Sequence, residues 1–110
     1  MPTYKILGQS APTDTNNADL YSPSGVSAVI SSITVTNTSS IAAQAQIYVR
    51  KFSGSLAAAA TSNALLYNVS IAPTAVNTYT LGVTLAAGDT ITVRSGTANA
   101  LTFQAFGSEI

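Results

Sequence analysis

Apolar and polar residues alternate along most of this chain with a period of two. That spacing turns one face of a β-strand toward a core and the other toward solvent. Val26 to Asn37 shows it best, with Val29, Ile33 and Val35 on one face and Ser32, Thr34 and Thr36 on the other. After a turn at Asn37 to Ser40, Ile41 to Lys51 alternates again. Ala43, Ala45, Ile47 and Val49 point one way, and Gln44, Gln46, Tyr48 and Arg50 the other. Two such runs joined by a short turn predict a hairpin. Thr3 to Gln9 is a predicted strand with Tyr4, Ile6 and Leu7 as burial candidates, and Ala18 to Tyr21 is a short one. Ala64 to Ile71 carries Leu65, Tyr67, Val69 and Ile71 in phase, and Pro73 ends it. Val76 to Leu85 sets Tyr79, Leu81, Val83 and Leu85 against Thr78, Thr80 and Thr84. Thr90 to Arg94 buries Ile91 and Val93. Leu101 to Phe106 buries Leu101 and Phe103 and turns Phe106 toward the other sheet or a partner.

Turn-forming residues separate these runs: Pro12 and Asn16-Asn17, Ser22-Pro23-Ser24-Gly25, Ala86-Ala87-Gly88-Asp89, and Ser95 to Asn99. Phe52 to Asn63 lacks a strand period. Its run Ala57 to Ala60 could form one helical turn but is too short to persist alone, so a surface loop is expected. No helical period lies between the strands, and composition changes at no point along the chain. The expectation is one all-β domain over residues 1–110, an antiparallel β-sandwich or jelly roll of about eight strands. The polar stretch near the start makes residues 1–24 a candidate extended N-terminal arm.

Composition sharpens this. The chain is 46% hydrophobic but only 7% charged, against about 25% charged in an average soluble chain. The cations are Lys5, Arg50, Lys51 and Arg94, the anions Asp14, Asp19, Asp89 and Glu109, and the formal net charge is zero. Neither a nucleic acid nor an anionic membrane gains a broad attraction from such a chain, so neither is expected as a partner. Threonine and serine keep the outward faces wet without charge, and copies of the chain repel one another little. That favours a protein that assembles. The first twenty residues lack a basic head followed by an apolar run, so no signal peptide is expected. The apolar stretches are too short and too broken by Thr, Ser and Asn to span a membrane as a helix.

Candidate chemistry is sparse. With no histidine and no cysteine, the usual general base, the usual metal ligands and the thiol nucleophile are missing together. The carboxylates that remain read as solvated loop residues (Asp14, Asp19), a turn former (Asp89) and a solvated terminus (Glu109). No enzyme activity, catalytic residue, cofactor or metal is therefore expected. Asp14 to Asp19 lacks the central Gly and closing Glu of a calcium loop, so Asx-turn chemistry is expected there. No Gly-rich phosphate loop occurs. Arg50 and Lys51 are adjacent in a strand pattern and face opposite ways, which makes no basic patch. Tyr48 on the polar phase, or Phe52, beside Gln44 and Gln46 would suit sugar stacking. The sequons at Asn37 and Asn68 are expected by chance in a Ser/Thr-rich chain.

The order of several segments adds a resemblance. They are the opening Tyr4-Lys5-Ile6-Leu7-Gly8-Gln9-Ser10, then Asp19-Leu20-Tyr21, Ile33-Thr34-Val35-Thr36-Asn37, and Tyr79-Thr80-Leu81-Gly82-Val83-Thr84-Leu85. Ala87-Gly88-Asp89-Thr90-Ile91-Thr92-Val93 and the ending Phe103-Gln104-Ala105-Phe106-Gly107-Ser108-Glu109-Ile110 follow. Over nearly its full length the chain resembles short virion structural proteins of tailed bacteriophages from cyanobacteria and other aquatic bacteria. The resemblance implies a virion structural component, and the role expected for it is a capsid decoration or cement protein on the capsid exterior. Its partners would be itself, as a homotrimer with the segment Met1 to Ser24 extended or exchanged between partners, and the major capsid protein. The alternative is a tail, baseplate or fibre-associated module that binds a host-surface glycan.

Overall fold

The structure, a computed structural model, describes residues 3–110. The described residues form nine strands: β1 (Thr3–Ser10), β2 (Ala18–Tyr21), β3 (Ala28–Asn37), β4 (Ala43–Arg50), β5 (Ala64–Ile71), β6 (Val76–Tyr79), β7 (Val83–Leu85), β8 (Thr90–Ser95) and β9 (Leu101–Glu109). Sheet I runs β1-β9-β3-β6, with β7 also on β3, and sheet II runs β2-β8-β4-β5. All pairs are antiparallel.

The predicted run Val76 to Leu85 is thus two short strands. Both lie along β3, β6 at Ile33 to Thr36 and β7 at Ala28 to Ile30. They are one strand interrupted where Gly82 takes φ +62°, and Leu81 in the gap is exposed. Counted this way the strands nest: first with last, second with next to last, third with sixth, fourth with fifth. A single antiparallel ribbon rolled onto itself gives that order, which is the jelly roll.

The hairpin expected between Val26–Asn37 and Ile41–Lys51 does not form. β3 and β4 lie in opposite sheets, so that the apolar faces of both close on one core. Asn37 makes the corner. It is buried, and its Nδ2 donates to the carbonyls of Ile41 (2.8 Å) and Ile71 (3.0 Å). Its Oδ1 accepts from the Ser39 amide (2.9 Å) and hydroxyl (2.7 Å). One side chain thereby serves the backbone groups that a hairpin ladder would have paired.

The core includes Phe103, Ile30, Ile33, Val35, Ile47, Ile71, Ile91, Val93 and Leu101. Each large side chain contributes about 1.5–3 kcal/mol on burial. Three β-bulges shift the inward phase. In β3 the bulge between Ile30 and Ser32 makes Ile30 a core residue in place of Val29. In β5 Tyr67 and Asn68 together oppose Gln46, and Asn68 takes φ 54°. Leu66 and Ile71 therefore point inward, while Leu65 and Tyr67, expected inside, are exposed. In β1 the bulge between Ile6 and Gly8 turns Leu7 to the core and leaves Tyr4 and Ile6 outside.

Residues 3–24, the candidate arm, are built into the sandwich: β1 pairs with β9 and β2 with β8 of the same chain. Met1 and Pro2 lie outside the described residues. Where β1 passes β2, a Cβ on Gly8 would collide with the Leu20 carbonyl, so only glycine permits the approach.

Candidate functional site

The four carboxylates are apart and each is engaged. Asp14 accepts from the Asn16 amide at 3.0 Å, an Asx turn. Asp89 closes its turn by accepting from the amides of Phe52 (2.8 Å) and Ala86 (3.0 Å). Asp19 accepts from the Thr92 hydroxyl at 3.0 Å and lies 3.6 Å from Arg50. Glu109 is no free terminus: Lys5 Nζ lies 2.6 Å from one oxygen, and the Tyr21 hydroxyl donates to the other at 2.5 Å. Those two partners, Lys5 first, hold the Glu109 carboxyl below its usual range. Burial raises the Tyr21 phenol, and the bond to Glu109 and its charge raise it further. No local pattern points to this contact, because it joins residues at opposite ends of the chain. Among the described residues no group of three or more His, Cys, Asp or Glu is placed to hold a metal ion. Among the described residues no helix is long and apolar enough to cross a membrane.

What remains are the outer faces of the two sheets. The outer face of sheet II is partly covered. Arg50, on β4, donates from Nε to the Ala57 carbonyl at 2.7 Å and lies 3.3 Å from the Thr92 hydroxyl. This draws the loop 51–63, which ends in a 3₁₀ turn at Thr61–Asn63, onto the sheet. Tyr48, on the polar phase of β4, is nonetheless only 6% exposed. Its hydroxyl donates to Gln46 Oε1. It offers no ring to a ligand, contrary to its place in the alternation. Phe52 is 41% exposed, and its ring packs against Gly88. The exposed aromatic of this face is Tyr67, which alternation had assigned to the core. The β5 bulge sets it beside Gln46 and Asn68, whose amides bond at 2.6 Å.

The outer face of sheet I is open and carries no charged side chain. Rows of Gln9, Gln104, Thr34 and Thr78, and of Thr102, Thr36 and Val76, run across it in register. At its β1 edge Ile6 is the direct cross-strand neighbour of Phe106, and Tyr4 lies one pair further on. Tyr4 is 81% and Ile6 56% exposed. Cross-strand neighbours on one face touch, so these side chains form a continuous apolar corner on a neutral, hydroxyl- and amide-rich sheet. No family model, curated protein or solved structure matches the chain.

Proposed function

We propose that the chain is a virion structural protein, a capsid decoration or cement protein. It would associate with copies of itself, as a homotrimer, and brace the major capsid protein from the capsid exterior. The observation that carries this reading is the outer face of sheet I. It is uncharged and places Tyr4 and Ile6 beside Phe106, on the longest open edge of that sheet. Exposed apolar corners rimmed by polar groups are a common mark of protein–protein contact. A face without charge removes the repulsion that keeps identical copies apart. The fold adds an analogy only, since jelly rolls also serve as lectin domains and cupins. With no histidine or cysteine in the chain, and with its carboxylates committed to turns and strand contacts, a non-catalytic role is the simpler one.

The test is sedimentation of the purified protein, alone and with empty capsid shells of the parent virus. The native chain should self-associate and co-sediment with shells, and Ile6→Glu should do neither while keeping its melting transition. Cryo-microscopy of the virion should place the protein on the shell. Its presence in the tail alone would overturn the proposal.

A further inference from the structure

The outer face of sheet II carries a feature that assembly does not use. Beyond Gln46 on that face lies a cleft of 220 Å³ lined by Ala42, Gln44, Ser70, Gly96 and Thr97. Gln44 and Ser70 are cross-strand partners, both exposed. Neither side chain joins the hydrogen bonds that lock their neighbours Gln46 and Ser95. Gly96 lines it: its amide donates to the Gln44 carbonyl at 2.8 Å, and a Cβ there would rest against Gln44 at ordinary contact distance. No lining residue is charged. On the same strand, at the bulge, stands Tyr67, 54% exposed. Beside it Asn68 accepts from Gln46 through Oδ1, which leaves its Nδ2 group to donate elsewhere.

We propose that this strip, from the Tyr67 ring to the cleft at Gln44, Ser70 and Gly96, binds a neutral carbohydrate. Three demands of such a ligand are met together. Its hydroxyls need a mixed set of donors and acceptors without net charge, which an amide, two hydroxyls and open backbone supply. Its apolar ring face needs an aromatic surface whose polar end stays wet, which an exposed tyrosine supplies. Orientation needs these groups held still, and the Tyr48–Gln46–Asn68 chain of hydrogen bonds fixes the bulge between them. The cleft itself holds no charge to call for an anion; Arg94, opposite Gln46 on β8, borders the strip and donates its Nε to the Thr15 carbonyl at 2.6 Å. The site lies on the sheet opposite to the apolar corner and stands whether or not the assembly reading does.

The experiment is a titration of ¹⁵N-labelled protein with neutral trisaccharides of glucose, galactose and N-acetylglucosamine, and with one ending in sialic acid. At least one neutral sugar should shift the amides of Gln44, Tyr67, Ser70 and Gly96. Tyr67→Ala should weaken that binding about tenfold, and Tyr67→Phe should largely keep it. Gly96→Val should abolish it with the remaining spectrum unchanged. Silence with all neutral sugars, shifts confined to another face, or a response to the acidic sugar alone would overturn the proposal.

Discussion

Lys5 and Glu109 lie 2.6 Å apart, nitrogen to oxygen, and so tie the first strand of sheet I to the last. Tyr21 of sheet II donates to the same carboxylate, so one contact links both sheets at this end of the roll. Its pH dependence has a fixed sign. The Glu109 carboxyl titrates below its unfolded value of 4.5, so its contribution is full above that value and is lost as pH falls through the lower, folded one. The Tyr21 phenol is raised above its unfolded value of 10.0, so stability also declines as pH climbs past 10.0. Thermal melts from pH 3 to 11 should show both shoulders. Glu109→Gln should flatten the acidic one and reduce the alkaline one.

Gly8 should tolerate a methyl group far less well than glycines in open turns. A Cβ there meets the Leu20 backbone, where nothing flexible can move aside. Gly8→Ala should cost about 3 kcal/mol in urea unfolding. Gly54→Ala has open space around it and a φ of +74°, and should cost about 1 kcal/mol. Equal losses at the two positions would mean that β1 and β2 can separate freely.

Replacing the corner residue should be severe. Asn37→Ala leaves the buried carbonyl of Ile71 and the part-buried one of Ile41 without their donor, a loss of about 3 kcal/mol. Asn37→Asp sets an oxygen against those carbonyls at neutral pH, but a protonated carboxyl can donate again. Its deficit, measured by denaturant midpoint against the native chain, should shrink on acidification.

Arg50 should matter for the loop more than for the fold. Removing its side chain with Arg50→Ala frees the Ala57 carbonyl. Limited proteolysis should then cut within residues 52–63 at a much higher rate, with a global loss of only about 1 kcal/mol. Arg50→Lys should not restore protection, since a single ammonium cannot span Ala57, Thr92 and Asp19 as the planar guanidinium does.

The strands themselves were legible, because β-branched runs and turn residues alternate cleanly from Thr3 to Phe106. Their phase was legible only where no bulge intervenes. An inserted residue at Ser31 or at Tyr67-Asn68 flips every later side chain to the other face, and nothing local announces it. That is why Ile30 was missed as core and Tyr67 as the exposed aromatic. Tyr48 departs from the pattern for another reason: alternation names a face of a strand, not how far that face is covered, and Tyr48 is buried on the outer one. The β3–β4 turn looked like a hairpin because four residues suffice for either a hairpin or a crossing. Only the side-chain bonds of Asn37 distinguish the two. The Lys5–Glu109 contact and the cleft at Gly96 depend on strands far apart in sequence, and single-strand patterns carry no such information.

The nested order of the ribbon also bears on how the chain is made. β8 sits between β2 and β4, and β9 between β1 and β3, so each sheet lacks an inner strand until the final third of the sequence has left the ribosome. Before then β1 and β3 expose unpaired backbone and half a core, a state open to mispairing with other nascent chains. Folding must wait for the last strand and then close over long sequence separations, which is slow for a domain of this size. A message cut short before Leu101 would yield no smaller stable version of the protein, only chains prone to aggregate.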